Sequence, residues 1–214
     1  MRPFTPVEFV PNLLPMTQAK RSRLSPEKRR MQLLDNARTL ILSKGLSSFT
    51  MDALAREAGV SHPLIYKYFD TRLSLLQALL ERESTAFNSR LRDQVMQAGG
   101  YEELIRLFVA ANFVQFSSNN IVYVLREQPD VFAVIAERER RQQRETAKFL
   151  VRTLADQFTV SKKQAEQLVV LASGASQRAA AHYDRYGGDR EAMIANTVRF
   201  IRGGISELRR AATQ

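Results

Sequence analysis

The sequence has no cysteine and only two histidines, His62 and His182. Disulfides, thiolate metal sites and cysteine nucleophiles are therefore excluded, and two isolated imidazoles make no zinc cluster. A reducing cytoplasm suits such a chain. No apolar run approaches the roughly 20 residues that a membrane-spanning helix requires. The first residues also lack the unbroken apolar core of a signal peptide, because Pro3, Pro6, Pro11 and Pro15 divide the short apolar pieces around Phe4, Phe9 and Leu13. A soluble protein with a flexible N-terminal arm is expected. No nucleophile, base and oxyanion set is visible, so an enzyme is the least favoured class and no cofactor or metal is expected.

What the chain does have is positive charge. Its 32 lysines and arginines against 22 acids give +10, divided as 12 against 6 in residues 1–80 and 20 against 16 in the remainder. The first third is the more basic per residue. Such an excess suits a polyanion, either nucleic acid or an anionic membrane surface, and composition does not choose between them.

Glycines fall where helices need to stop, at 45, 59, 99–100, 174, 187–188 and 203–204, and no strand pattern competes with the helical one. Ser25-Pro26-Glu27 starts a first helix, with Leu33, Leu34, Ala37, Leu40 and Ile41 on its apolar face and Lys44-Gly45 at its end. Thr50 caps a second helix, Met51 to Ala58, whose inward side is Met51, Leu54, Ala55 and Ala58. Ser61 caps a third, predicted over His62 to Phe69, and Asp70 or Thr71 opens a long fourth helix carrying Leu75, Leu76, Leu79 and Leu80. Further helices are predicted at 101–117, 121–127, 130–158 (with a possible break), 161–186 and 189–212; Asp130, the Ser161/Gln164 capping box and Asp189 mark three of the starts. The fold class is all-α, with a basic arm at 1–24, a three-helix domain at 25–72, a connecting helix at about 71–98 and a second helical domain at 73–214.

Two short helices joined by Gly59-Val60-Ser61, the second bearing His62, Tyr66, Lys67 and Tyr68, have the geometry of a helix-turn-helix. Ile65 and Phe69 would hold the second helix to the core while its polar side faces a DNA groove. Tyr66 and Tyr68 lie about 200° apart on a helix, so at least one hydroxyl must point outward. Over about 45 residues in register, from Leu33-Leu34 through Ala37, Lys44-Gly45, Thr50, Ala55, Ala58-Gly59-Val60-Ser61, Ile65-Tyr66-Lys67-Tyr68-Phe69 and Arg72 to Leu75-Leu76, the sequence resembles the TetR family of transcriptional repressors.

This resemblance implies a dimeric regulator that grips double-stranded operator DNA and is released by a small-molecule effector. By position, Thr50 and Ser61 cap helices whose amino ends face phosphates, and Tyr66 and Tyr68 offer hydroxyls to the DNA backbone. Arg72 stands where the family usually has lysine and would contact phosphate at a helix start. His62, Leu64 and Lys67 are the candidates for base contacts. Pro63 and Leu64 depart from the usual small residue and threonine. With one backbone donor lost, Ser61 is expected to cap the amide of Leu64, and Leu64 offers only apolar contact, as to a thymine methyl. Lys20, Arg21 and Arg23 are placed to follow a minor groove, although a solvated tail explains them equally.

The family also implies an effector cavity in the second domain, for which Phe108, Phe113, Phe116, Tyr123, Phe149 and Tyr183 are the aromatic candidates; their character suggests an apolar effector. Most such residues serve simply as core. Small residues on the last two helices, including Gly174, Ala179, Ala180, Ala181, Gly203 and Gly204, with Leu168, Leu171, Ile194, Val198 and Ile201, suit either a four-helix bundle with a second copy or a tight intrachain core. The run Glu137 to Glu145 reads as a solvated helix face with internal ion pairs, and His182 is assigned no chemistry. Sequence-independent DNA packaging and peripheral membrane binding remain the competing readings of the basic charge.

Overall fold

The computed structural model describes residues 24–158 and 160–212. Among these there are ten α-helices and no strand: α1 Pro26–Lys44, α2 Met51–Ala58, α3 His62–Tyr66, α4 Arg72–Gln97, α5 Tyr101–Gln115, α6 Ile121–Arg126, α7 Pro129–Phe132, α8 Ala136–Phe158, α9 Lys162–Tyr186 and α10 Arg190–Ala212. Residues 1–23, with Lys20, Arg21 and Arg23, lie outside the described part. No described helix is long and apolar enough to cross a membrane.

Helix starts follow the side-chain chemistry closely. The oxygens of Ser25, Thr50, Thr71 and Ser161 accept from backbone amides three residues on, and Asp189 Oδ1 accepts from Ala192 N at 3.0 Å. Thr71 with Ser74, and Ser161 with Gln164, complete reciprocal capping boxes. One start differs from expectation: Asp130 does not cap, because Pro129 already occupies the first turn of α7 and Gln128 stands before it. The long helix expected over 130–158 breaks at 133–135, where Ile135 turns into the core and α8 begins anew.

The apolar faces assemble into two cores. The first joins Leu33, Leu34, Leu40 and Ile41 of α1, Leu54 of α2, Ile65 and Phe69, and Leu75, Leu76, Leu79 and Leu80 of α4. It also takes in Ile121, Val122 and Leu125 of α6 and Val131 and Ile135 around α7. It thus extends beyond residue 72, because the apolar side of α4 is wider than the three-helix unit and α6 and α7 cover the rest. Polar ties reinforce that packing. Arg82 of α4 pairs with Asp35 of α1 at 2.7 Å, and Gln77 Nε2 donates to the Asp130 carbonyl at 2.9 Å.

The second core is formed by Val109 and Phe113 of α5, Phe158, Val160, Ala165 and Leu168, Ala180 of α9, and Ile194, Ile201 and Ile205 of α10. Leu168, Ile194 and Ile201 are intrachain core, whereas Val170, Leu171 and Phe200 are 70%, 64% and 73% exposed beside the outward Gly174, Gly203 and Gly204. Along α8, Arg140 and Arg144 pair with Glu137, as expected of a solvated face. Lys148 donates to Glu145 at 2.9 Å and holds that carboxyl below its ordinary value. Glu139 departs from this pattern, being buried.

Candidate nucleic-acid interface and internal cavity

The turn between α2 and α3 is set by backbone geometry. Gly59 adopts the left-handed conformation, φ 63° and ψ 38°. Its N–H donates to the Arg56 carbonyl at 3.3 Å, and the Val60 N–H donates to the Ala55 carbonyl at 3.0 Å. This pairing satisfies two carbonyls at the end of α2 and reverses the chain within a few residues. Val60 packs against the first core, so the turn is anchored as well as bent. At the other end of α2, Thr50 Oγ1 accepts from Ala53 N at 3.0 Å and the residue is exposed.

The start of α3 corrects the expected cap. Ser61 stands at the N-cap position, but its hydroxyl makes no capping bond. The Leu64 amide donates instead to the Ser61 backbone carbonyl, at 3.0 Å. Pro63 supplies no amide to compete for the hydroxyl, which is left on an exposed residue without an intrachain role. The helix is also shorter than expected. Tyr68 N donates to Ile65 O at 2.9 Å, a tightened last turn, and Phe69 N reaches the same carbonyl at 3.0 Å. Ile65 and Phe69 are thereby both buried, while Lys67 becomes the exposed end of the helix.

The remaining candidates occupy distinct environments. Tyr66 is 42% exposed, whereas Tyr68 is half-buried against the first core, so Tyr66 is the outward tyrosine. Leu64 is half-buried. His62 Nε2 lies 3.2 Å from Asp52 Oδ1, and its ring meets that of Tyr66 edge-on at 4.9 Å. Asp52, in the first turn of α2, thus positions the imidazole; the sequence reading missed it, although an acid there is readable as a helix-start residue.

Arg72 is more engaged than a simple phosphate ligand. Its Nε donates to the Phe49 carbonyl at 3.0 Å and its Nη2 to the Leu46 carbonyl at 3.2 Å, with the guanidinium 5.6 Å from the Phe49 ring centre. The fork of arginine makes these two contacts together, where a lysine ammonium would act as a point donor. Arg72 therefore ties the start of α4 to the loop that presents Thr50.

Between α4, α5, α8, α9 and α10 lies a cavity of about 610 Å³. Of the six aromatic candidates only Phe108 and Phe116 line it. Phe113 is buried in the second core against Tyr183, with ring centres 5.8 Å apart. Phe149 of α8 is exposed and Tyr123 stands on α6, and neither lines the cavity. Apolar lining comes instead from Leu91, Ile105, Leu150 and Leu154, interspersed with Asn112, Gln142, Ser176 and Glu139. Glu139 was missed because it lies in a charged run. Its signal is register: it follows the buried Ile135 by four residues and precedes Leu150 by eleven, on the inward stripe of α8.

Residues 33–79 match the family described as bacterial regulatory proteins, tetR family. The HTH-type transcriptional activator FasR of Mycolicibacterium smegmatis is 33% identical over 92 residues, 43% of this chain and 42% of that protein. The chain thus spans less than half the length of that relative. A TetR-like transcriptional regulator from Rhodococcus sp. RHA1 superposes with a TM-score of 0.61 at 20% identity, over 86% of this chain and 99% of that one. The regulator FadR of Bacillus subtilis, solved with stearoyl-CoA, does so with a TM-score of 0.56 at 16% identity, over 80% and 96%. The helix-turn-helix over the matched residues is thus similar to that of the tetR family of bacterial regulatory proteins, and the all-helical fold is shared with TetR-like regulators.

Proposed function

We propose that the protein is a ligand-controlled transcriptional repressor that binds operator DNA as a homodimer and leaves it when a small molecule fills the internal cavity. The observation that carries this reading is the course of α4. Its first turns hold Leu75, Leu76, Leu79 and Leu80 in the core beneath the helix-turn-helix, and the same helix supplies Asn88 and Leu91 to the cavity wall. An occupant pushing on Leu91 acts on the element that seats the DNA-binding unit.

In this reading Tyr66, Lys67 and the unengaged Ser61 hydroxyl meet DNA, with Thr50 at the start of α2. Leu64 and His62 face base edges, and Tyr68 and Arg72 mainly support the unit while offering polar atoms to phosphate. The exposed Val170, Leu171 and Phe200 beside outward glycines on α9 and α10 support pairing with a second copy, which would set two recognition helices about 34–36 Å apart. An effector favouring another spacing would weaken DNA binding, and by linkage DNA would weaken effector binding equally.

Selecting bound fragments from the source genome yields the operator. Operator affinity is then measured with and without candidate effectors. Equal affinity of effector-saturated and effector-free protein excludes induction. Activation is the second reading, favoured by the Mycolicibacterium relative, which is a transcriptional activator. A reporter under the selected promoter separates the two: repression requires its output to rise when the protein is removed.

A further inference from the structure

The cavity has an unusual polar feature. Glu139 belongs to its wall and is 7% exposed. One carboxylate oxygen, Oε2, pairs with Arg126 Nη2 of α6. The other, Oε1, is sealed from solvent and accepts no hydrogen bond, and Arg126 Nε is likewise buried without an acceptor. Arg126 Nη1 donates to Gln115 at 3.3 Å. The pair is therefore monodentate, although the two groups have the shapes for a bidentate fork, and it leaves a charged acceptor unsatisfied on a residue of the cavity wall.

We infer that the effector is a neutral amphipathic molecule whose hydroxyl or amide N–H donates to Glu139 Oε1 while its apolar body lies against Leu91, Ile105, Phe108, Leu150 and Leu154. This rests on reading the cavity as the effector site. Three observations select the class. An unsatisfied buried acceptor gains from a donor, and the terminal torsion of a glutamate is soft enough to turn Oε1 toward one. Among the described residues that line the cavity there is no lysine, arginine or histidine, so a carboxylate or phosphate group would meet the like charge of Glu139 with no cation in the wall. A cationic group is disfavoured because Arg126 already balances that carboxylate, and a third buried charge would have no partner. Two of the remaining wall amides donate to wall neighbours, Asn88 to the Gln142 side-chain oxygen at 3.0 Å and Asn112 to the Ser176 hydroxyl at 2.8 Å. Glu139 is thus the strongest acceptor left to an occupant.

The test uses the full chain and four probes with one apolar body: decanol, decyl methyl ether, decanoate and decylammonium, titrated calorimetrically. Decanol is expected to bind about tenfold or more tightly than each of the other three, the size of a hydrogen bond to a charged group. Equal binding by the ether removes the donor contact, and equal binding by either ion removes the requirement for neutrality; in each case the cavity reading stands and this inference falls. Absence of binding by all four overturns both. The double variant Arg126→Met with Glu139→Leu, checked for helicity by circular dichroism, should bind decanol and the ether alike. A preference for decanol that persists in it would place the acceptor elsewhere and refute the role of Glu139.

Discussion

At the scale of single residues, the helix-turn-helix separates groups that hold the fold from groups left available for a partner. Thr50 Oγ1 is committed to the Ala53 amide, so Thr50→Ala should cost about 1 kcal/mol in a urea unfolding experiment. Ser61 is the contrasting case, since its hydroxyl caps nothing. Ser61→Ala should leave stability within about 0.5 kcal/mol of the parent while weakening operator binding in a mobility-shift titration. A stability loss like that of Thr50→Ala would mean that the hydroxyl caps α3 in solution. These two residues look alike in sequence, each a small hydroxylic side chain before a helix. Only the backbone path through Pro63, which gives the Leu64 amide to a carbonyl, distinguishes them.

At the scale of elements, legibility followed locality. The starts of α1, α2 and α9 were readable because cap and capped amide lie three residues apart, and Gly59 was readable as a left-handed turn. No neighbouring atom lies within 4 Å of where a Cβ on Gly59 would stand. Gly59→Ala should therefore lose only the backbone preference, roughly 1–2 kcal/mol, seen as a lowered urea midpoint with unchanged slope. A larger loss would reveal crowding absent from the structure. The early end of α3 and the position of the break before α8 were not readable, because both are imposed at a distance by burial of Phe69 and Ile135. The site was obscured in the same way. Periodicity marks which aromatics are inward, but not whether an inward ring meets another helix, as Phe113 meets Tyr183, or empty space, as Phe108 does.

At the scale of the molecule, α4 runs from the core beneath the helix-turn-helix to the cavity wall, and occupying the cavity without a ligand tests the coupling proposed through it. Leu91 lines the cavity eleven residues beyond the buried Leu80, about 16 Å along the same helix. Leu91→Trp should fill part of the space, leave the midpoint of thermal unfolding unchanged or raised, and weaken operator binding on the order of tenfold with no effector present. Met96→Trp is the control, because Met96 lies on the same helix, is 79% exposed and does not line the cavity; its operator affinity should equal that of the parent. The two variants together separate a push from within the cavity from a general disturbance of α4. If Leu91→Trp occupies the cavity, as loss of decanol binding would report, and still binds operator like the parent, then α4 does not transmit occupancy. The coupling would then have to run through α6, where Leu125 is sealed in the first core and the adjacent Arg126 holds the cavity's only charged side chain among the described lining residues.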